Sequence, residues 1–292
     1  MIPAHLVRKV QAIELRSRKR VRTPRAGVHA SAVRGAGFEF EQHRPYRPGD
    51  DVRRIDWNAT ARVGVPFVRE ARAERDLQMV LAVDLTPSMQ FGAVGRSKHE
   101  ALVLTTASLL FAALGDRISS GVLGFTNRVL DWSAPVADPG AAWTALRRVW
   151  DARPDGAPVR LQPLVRYLLE TLQRTTLVFL VSDFDGDEDL TGSPELAVLA
   201  GRHDVVAIVL EDPAELKLPE GSGFVRVRDV ETRVEVVVPL NDATRARYLT
   251  QVQQRRRMLQ ATFYRTGIDH VFVNTQRDVL APVLALFAGR SV

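Results

Sequence analysis

The sequence contains no cysteine. Disulfides, thiolate zinc sites and cysteine nucleophiles are therefore excluded, and the composition is compatible with a reducing compartment. The six histidines form no HExxH-like pair. The longest mostly apolar run, residues 101–114, is too short to cross a bilayer and contains hydroxyl residues, so it predicts a buried helix. No apolar segment of signal-peptide type is evident near residue 1, and we expect a cytoplasmic protein.

Acidic residues are outnumbered by basic ones, which are nearly all arginine, and the formal net charge is +6. An excess of this size permits binding to nucleic acid or to an anionic membrane surface, but over 292 residues it requires neither. With 46% hydrophobic and 25% charged residues, the chain has the composition of a globular protein of one large or two modest domains. No glycine-rich phosphate loop is present, so we expect no ATPase activity in this chain.

Residues 5–22 predict a basic helix. Leu6, Val10 and Ile13 form a short apolar stripe, and a run rich in arginine and lysine follows from residue 16. Such a helix either binds a membrane surface or a polynucleotide, or docks on the protein and leaves its arginines in solvent. We favour the docked helix because no aromatic residue is interleaved with the basic run.

Residues 23–76 are broken by glycine and proline into short β-like pieces. Within them, residues 44–62 mix aspartates with arginines around a Pro-Gly turn. One hypothesis makes the aspartates a catalytic acid cluster. We favour the alternative, in which arginine–aspartate pairs fix a rigid platform whose tyrosine and tryptophan pack against the rest of the protein. The residues assigned to this structural motif are Arg44, Tyr46, Asp50, Asp51, Asp56, Trp57 and Arg62.

From residue 77 onward, apolar strands alternate with helical patterns. The runs 79–83 and 176–182 are mostly apolar on both faces, as in the buried strands of a parallel sheet, and Ser97 with Glu100 predicts a capping box at a helix start. We therefore expect an α/β domain over residues 77–292, with a mostly parallel sheet flanked by helices. Alternation around 224–238 predicts a β-hairpin, inserted at about 212–241. Residues 1–76 form the N-terminal region with the basic helix and the β-like pieces.

Both predicted buried strands end in an aspartate, Asp84 and Asp183. Thr86 and Ser88 follow Asp84 at alternate positions, so the three side chains lie on one side of an extended segment. Open parallel sheets bind ligands at the carboxyl ends of their strands. Two carboxylates with two hydroxyls suit Mg²⁺, with Asp185 as a candidate for an additional ligand. The alternative is loop structure alone, in which both carboxylates accept hydrogen bonds from backbone amides.

The Asp84-x-Thr86-x-Ser88 sequence resembles the Asp-x-Ser-x-Ser element of the metal-ion-dependent adhesion site in von Willebrand factor A domains, and Asp183 resembles its later aspartate. The stretches 44–62, 83–89 and 227–232 resemble a bacterial family called domain of unknown function 58. This resemblance implies a von Willebrand A-like (Rossmann-like) domain behind a family-specific N-terminal region. It also implies a role as an adaptor for MoxR-type AAA+ ATPases in the maturation or remodelling of client proteins.

One departure from the resemblance bears on the metal. Val159, which has no side-chain oxygen, falls at the position where the site usually has a threonine, and Arg160 adds a positive charge. Asp155 is a candidate substitute ligand. We expect only weak Mg²⁺ binding.

The function that these observations favour is a non-enzymatic protein-interaction module that docks its partner through the degenerate metal site. One alternative is a protein that binds nucleic acid or an anionic surface through the arginine-rich segments 16–25 and 245–257. A less favoured alternative is a Mg²⁺-dependent phosphatase of the haloacid-dehalogenase type. In its Asp-x-Asp-x-Thr motif the second aspartate supplies the general acid, and Thr86 stands at that position here.

Overall fold

The protein is a mixed α/β structure. The computed structural model describes residues 2–21, 42–47, 55–70, 77–92, 95–153, 156, 158–186, 193–230 and 233–289. The helices are α1 (Ala4–Val21), α2 (Trp57–Val63), α3 (Lys98–Gly115), α4 (Pro139–Asp151), α5 (Leu161–Thr171), α6 (Pro194–Arg202), α7 (Pro213–Leu216), α8 (Asp242–Thr266) and α9 (Ala281–Gly289). The strands are β1 (Gln42–Pro45), β2 (Phe67–Glu70), β3 (Gln78–Asp84), β4 (Ser119–Phe125), β5 (Val129–Val136), β6 (Thr176–Ser182), β7 (Asp204–Glu211), β8 (Gly223–Arg228), β9 (Glu235–Leu240) and β10 (Asp269–Asn274). A short 3₁₀ turn, Pro87–Gln90, follows β3.

The main sheet has the strand order β10-β7-β6-β3-β4-β5. Its neighbouring strands are parallel except at one edge, where β5 runs antiparallel to β4. The chain starts in the middle with β3, moves outward through β4 and β5, and returns to the other side of β3 with β6. The direction of winding thus reverses between β3 and β6, and in open α/β sheets this reversal opens a crevice at the carboxyl ends of the strands.

A hydrophobic core covers each face of the main sheet. Along β3, Met79, Leu81 and Val83 face the first core, which also contains side chains of α1, α3, α4 and α9. Val80 and Ala82 face the second core, which contains side chains of α5, α6 and α8. Because alternate residues of β3 are buried on opposite faces, the strand is apolar along its length. The resulting layers are helix, sheet and helix.

Helix α1 docks on the α/β layers. Leu6 and Val10 are buried in the first core, and α1 lies against α3. Glu14 Oε2 accepts a hydrogen bond from Trp143 Nε1 of α4 at 3.2 Å. These contacts agree with the docked-helix interpretation for the first half of α1. The side chains of the basic run from residue 16 lie outside the described part of the chain.

The motif at 44–62 begins in β1, which pairs antiparallel with β2 beyond the motif, and α2 lies between the two strands in the chain. Asp56, just before α2, is buried, and Tyr46 is half-buried. Trp57 is 69% exposed, so the prediction that it packs against the α/β domain is wrong. Adjacent residues at a helix start project in different directions, and burial of Asp56 turns Trp57 outward. Arg62 is exposed, while Asp50, Asp51 and the side chain of Arg44 lie outside the described residues.

Strands β8 and β9 form an antiparallel hairpin in the stretch where the sequence predicts one. Its register runs from Gly223 opposite Leu240 to Arg228 opposite Glu235. Within the described chain these two strands pair with each other and not with the main sheet. The hairpin follows α7, precedes α8, and contacts α8 through β9.

Candidate site at the carboxyl ends of β3 and β6

The parallel pairing of β3 with β6 brings the predicted site residues to one edge of the sheet. Val83 lies opposite Val181, so Asp84 at the end of β3 is level with the end of β6. Asp84, Thr86, Ser88 and Asp183 are all buried. These four polar side chains are therefore buried at the winding reversal, and Asp183 lines a small cavity beside them.

Asp84 is held by three hydrogen bonds. Its Oδ1 accepts from the backbone N–H of Thr86 at 2.8 Å and from Thr86 Oγ1 at 2.7 Å, and its Oδ2 accepts from Ser182 Oγ at 2.5 Å. Thr86 Oγ1 and Ser88 Oγ lie 3.1 Å apart. Burial, followed by the negative charge of Asp183, raises the pKa of Asp84 from 3.8 to about 7. Near neutral pH this carboxyl therefore exchanges readily between its neutral and charged forms.

Asp183 is held by a buried lysine. Its Oδ2 lies 2.6 Å from Lys98 Nζ, and its Oδ1 accepts from the backbone N–H of Asp185 at 3.0 Å. Arg255 of α8 donates to the Asp183 carbonyl at 2.8 Å. Burial alone would raise the pKa of Asp183, but the charge of Lys98, its hydrogen bond, the Asp185 amide and the charge of Arg255 together outweigh burial, and the net pKa is lowered. Asp183 is therefore the charged member of the aspartate pair.

The same lysine reaches a third acid. Lys98 Nζ lies 2.6 Å from Glu215 Oε1, and the Lys98 side chain is 1% exposed. Glu215 belongs to α7, which leads to the hairpin, and its carbonyl accepts a hydrogen bond from Tyr248 of α8 at 2.8 Å. One ammonium group thus joins the start of α3, the end of β6 and the root of the hairpin.

Lys98 and Glu215 were not predicted as site residues. One signal in the sequence pointed to Lys98: it is one of only four lysines and directly follows the serine of the predicted capping box. A cation in the first turn of a helix opposes the helix dipole, so its presence there calls for an acidic partner. No comparable signal marks Glu215.

A third strand, β7, also ends beside a buried acid, Asp212. Its Oδ1 accepts from the backbone N–H of Ala214 at 2.9 Å and its Oδ2 from Thr275 Oγ1 at 2.9 Å. Gln276 Oε1 accepts from the backbone N–H of Arg96 at 3.1 Å, and Gln276 Nε2 donates to the Arg96 carbonyl at 2.7 Å. These bonds tie the loop before α3 to the end of β10.

The donor set does not fit the divalent cation that the resemblance implies. Both oxygens of Asp84 already accept hydrogen bonds, and Asp183 Oδ2 is paired with an ammonium group. Val159 is fully buried in the second core and offers no oxygen. Asp185 is exposed, and its Oδ1 lies 3.4 Å from Arg255 Nη1. Asp155 lies outside the described residues. Hard cations need several free oxygen ligands around one point, and this cluster does not offer them.

The sequence also matches a known family. Residues 42–258 match the model of the family described as protein of unknown function DUF58. The chain belongs to this family. It is 28% identical over 287 residues to the uncharacterized proteins Rv1480 of Mycobacterium tuberculosis and Mb1516 of Mycobacterium bovis. Each alignment covers 98% of this chain and 90% of the relative.

Two solved structures are similar to this DUF58 protein. One is the conserved hypothetical protein BatB from Bacteroides thetaiotaomicron, with a TM-score of 0.48 and 13% identity over 74% of this chain and 98% of BatB. The other is an aerotolerance-related membrane protein from Bacteroides fragilis, with a TM-score of 0.48 and 12% identity over 71% of this chain and 98% of that chain. In the described part of this chain, no helix combines the length and the hydropathy that a bilayer crossing requires.

Proposed function

We propose that the protein is a non-enzymatic interaction module, an adaptor that binds a MoxR-type AAA+ ATPase through the β8–β9 hairpin. The observation that carries the proposal is the apolar face of this hairpin. Val227 lies opposite Val236, and Val225 lies opposite Val238. Val227 and Val236 are exposed, whereas Val225 and Val238, nearer the body, are half-buried.

The exposed apolar residues of this hairpin favour a partner surface. Two-stranded hairpins alone are marginally stable in water, and contiguous exposed apolar residues mark interaction sites. The opposite face of the hairpin adds Phe224 and Val237, both exposed, beside Arg226 and Arg228. A partner strand or groove that covers the valines would remove apolar surface from water. Arg226 and Arg228 lie on the opposite face, each 3.6 Å from Glu235, and do not specify the charge of that partner.

The strand-end cluster supports the non-enzymatic part of the proposal. Its carboxylates are engaged, Asp84 by hydroxyls and an amide, and Asp183 by an ammonium group. Both side chains are buried, and Asp84 has no exposed surface on which to receive a substrate from solvent. For the same reason we now place the docking surface on the hairpin, and not on Asp84, Thr86, Ser88 and Asp183.

The assignment of the domain to the von Willebrand A type is also part of the proposal. The mostly parallel sheet with helices on both faces supports it, as does the position of Asp84 at the end of the central strand β3. The MoxR-type partner rests on the family resemblance of the sequence motifs.

Surface plasmon resonance with a purified MoxR-type ATPase from the same organism tests the proposal. The variant is the double substitution Val227→Thr and Val236→Thr, which keeps β-branched side chains but makes the face polar. We expect its affinity for the ATPase to fall by about tenfold or more, as for the loss of a central apolar contact. The matched control is Val198→Thr, an exposed valine on α6, which should bind like the parent.

Three outcomes would overturn this proposal. Equal binding by the double variant and the parent would remove the hairpin as the docking surface. Steeply salt-dependent binding to DNA, without binding to the ATPase, would favour the nucleic-acid alternative. Turnover of an aryl phosphate that Asp84→Asn abolishes would show that the protein is an enzyme.

A further inference from the structure

The most unusual side chain in the structure is Lys98. It is a lysine buried at the first position of an 18-residue helix, where the partial positive charge of the helix N-terminus opposes it. Two carboxylate oxygens, from Asp183 and Glu215, each lie 2.6 Å from its Nζ. The ring of Phe91 lies on another side, with its centroid 5.9 Å away. Such a position is tolerated only because the ammonium group is matched by acids.

The ammonium group stays charged in this environment. Burial lowers the pKa of Lys98, but the charges of Asp183 and Glu215 and the hydrogen bonds to both raise it, and the net pKa lies above its usual value of 10.5. A fixed positive charge therefore sits against Asp183, one of the two acids that the resemblance would assign to a divalent ion.

We propose that the Lys98 ammonium group is the resident cation of the strand-end cluster and takes the place of a divalent metal ion. It neutralises Asp183, as a metal would, and it is attached to the protein, so the cluster is complete at any metal concentration. A second cation near Asp183 would be repelled by Nζ. Val159, at the position where the resemblance has a threonine, is buried in the second core and offers no side-chain oxygen.

A lysine also makes a contact here that extends the cluster toward the hairpin. Because Lys98 reaches Glu215 as well, the link extends from β6 to α7 and to the root of the hairpin. The cation of this link is covalently attached to the chain, so the link does not depend on metal supply. This inference does not depend on the identity of the partner protein.

Thermal unfolding of the full chain with EDTA and with about 10 mM Mg²⁺ or Mn²⁺ tests the proposal. We expect the melting temperature of the parent protein to be the same in all three, within about 1 °C. Lys98→Met removes the charge at similar length and leaves the acids in place. We expect this variant to melt lower in EDTA and to be raised by about 3 °C or more by either ion.

Two further variants locate the effect. Lys217→Met changes an exposed lysine just after α7 and should leave the protein insensitive to metal. Adding Asp183→Asn to Lys98→Met should abolish the newly gained metal response, because it removes the acid that the ion would bind. A metal response retained in that double variant would place the ion elsewhere and would contradict the proposal.

Isothermal titration calorimetry on the parent protein tests the proposal even if Lys98→Met does not fold. We expect no heat of binding for Mg²⁺ or Mn²⁺ at millimolar concentration. A Kd below about 1 mM that Asp84→Ala abolishes would overturn the proposal, since it would show a metal at the strand ends in the presence of Lys98.

Discussion

Ser182 Oγ donates a hydrogen bond to Asp84 Oδ2 at 2.5 Å and accepts one from the backbone N–H of Phe184 at 2.7 Å. Asp84 and Ser182 are 98 residues apart in the chain, and all three residues are buried. One hydroxyl group therefore joins the end of β3 to the turn after β6. This bond holds the two acidic strand ends in register with each other.

Removal of that hydroxyl should cost stability. We expect Ser182→Ala to lower the free energy of unfolding by about 1–3 kcal/mol, because it leaves a buried amide and a buried carboxyl without their shared partner. Ser133→Ala on the edge strand β5 is the control, since its hydroxyl accepts a long hydrogen bond from the exposed Arg148 Nη1, at 3.4 Å. We expect the control to change the free energy by no more than about 0.5 kcal/mol. Urea unfolding measures both, and equal losses would contradict the role given to Ser182.

Asp84 should make stability depend on pH. Its pKa is raised from 3.8 to about 7 by burial and then by the charge of Asp183. Because the folded pKa exceeds the unfolded one, its contribution is fully present below about pH 4 and is lost as the pH rises through about 7. We expect the free energy of unfolding to fall by roughly 1 kcal/mol per pH unit between about pH 5 and 6.5, and to level off above about pH 7.5.

Asp84→Asn isolates this effect, because it removes the ionisable group and keeps the size of the side chain. Asp183 does not interfere in this pH window: its pKa is lowered, so its contribution is present above about pH 4 and is lost only in acid. Urea unfolding of both proteins at about pH 5 and pH 6.5 gives the two slopes. Equal slopes for the parent and for Asp84→Asn would show that another group titrates.

Asp56 and Trp57 offer a matched pair of neighbours with opposite exposure. Asp56 is buried, its N–H donates to the Phe67 carbonyl at 2.8 Å, and its own carbonyl accepts from the N–H of Thr60 at 2.9 Å. We expect Asp56→Ala to lower the free energy of unfolding by about 1–3 kcal/mol, because buried carboxylates are stable only with partners. Trp57→Ala should change it by no more than about 0.5 kcal/mol. Chemical denaturation tests both, and a large loss for Trp57→Ala would restore the prediction that this ring is packed.

Much of the fold follows from local patterns. The doubly apolar runs mark β3 and β6, and the predicted capping box is confirmed for Ser97, whose Oγ accepts from the N–H of Glu100 at 3.1 Å. The edge strand β5 was not predicted, because its residues are only partly buried and its pattern is weak. Its place depends on contact with β4, where a Cβ on Gly121 would lie 2.5 Å from the Ser133 carbonyl oxygen.

From the sequence, only those contacts of the candidate site that follow from the strand order of the sheet could be predicted. Parallel strands bring their carboxyl ends to one edge, so the approach of Asp84 to Asp183 follows from two strand patterns. The partners of Lys98 do not follow in this way. Asp183 is 85 residues away and Glu215 is 117 residues away, and no local periodicity relates them. The charge balance of the site is therefore a property of the tertiary structure.

Phe263 on α8 supports the turn that positions Asp183. Its ring packs against Phe184 in an edge-to-face arrangement, with centroids 5.3 Å apart. Phe184, directly after Asp183, has a φ of 55°, in the left-handed region that bulky residues rarely adopt. We expect packing against Phe263 to compensate for this backbone conformation and to couple α8 to the strand-end cluster.

The adjacent aromatics of α8 give the test. Phe263 is fully buried, whereas Tyr264 is 86% exposed, and the two have similar helix propensity. We expect Phe263→Ala to lower the free energy of unfolding by about 3–5 kcal/mol, through lost burial and a cavity beside Phe184. Tyr264→Ala should lower it by no more than about 0.5 kcal/mol. Hydrogen exchange of the Asp185 amide, which donates to Asp183, should accelerate in Phe263→Ala and not in Tyr264→Ala. If that amide stayed protected in Phe263→Ala, the aromatic contact would stabilise the core without positioning Asp183.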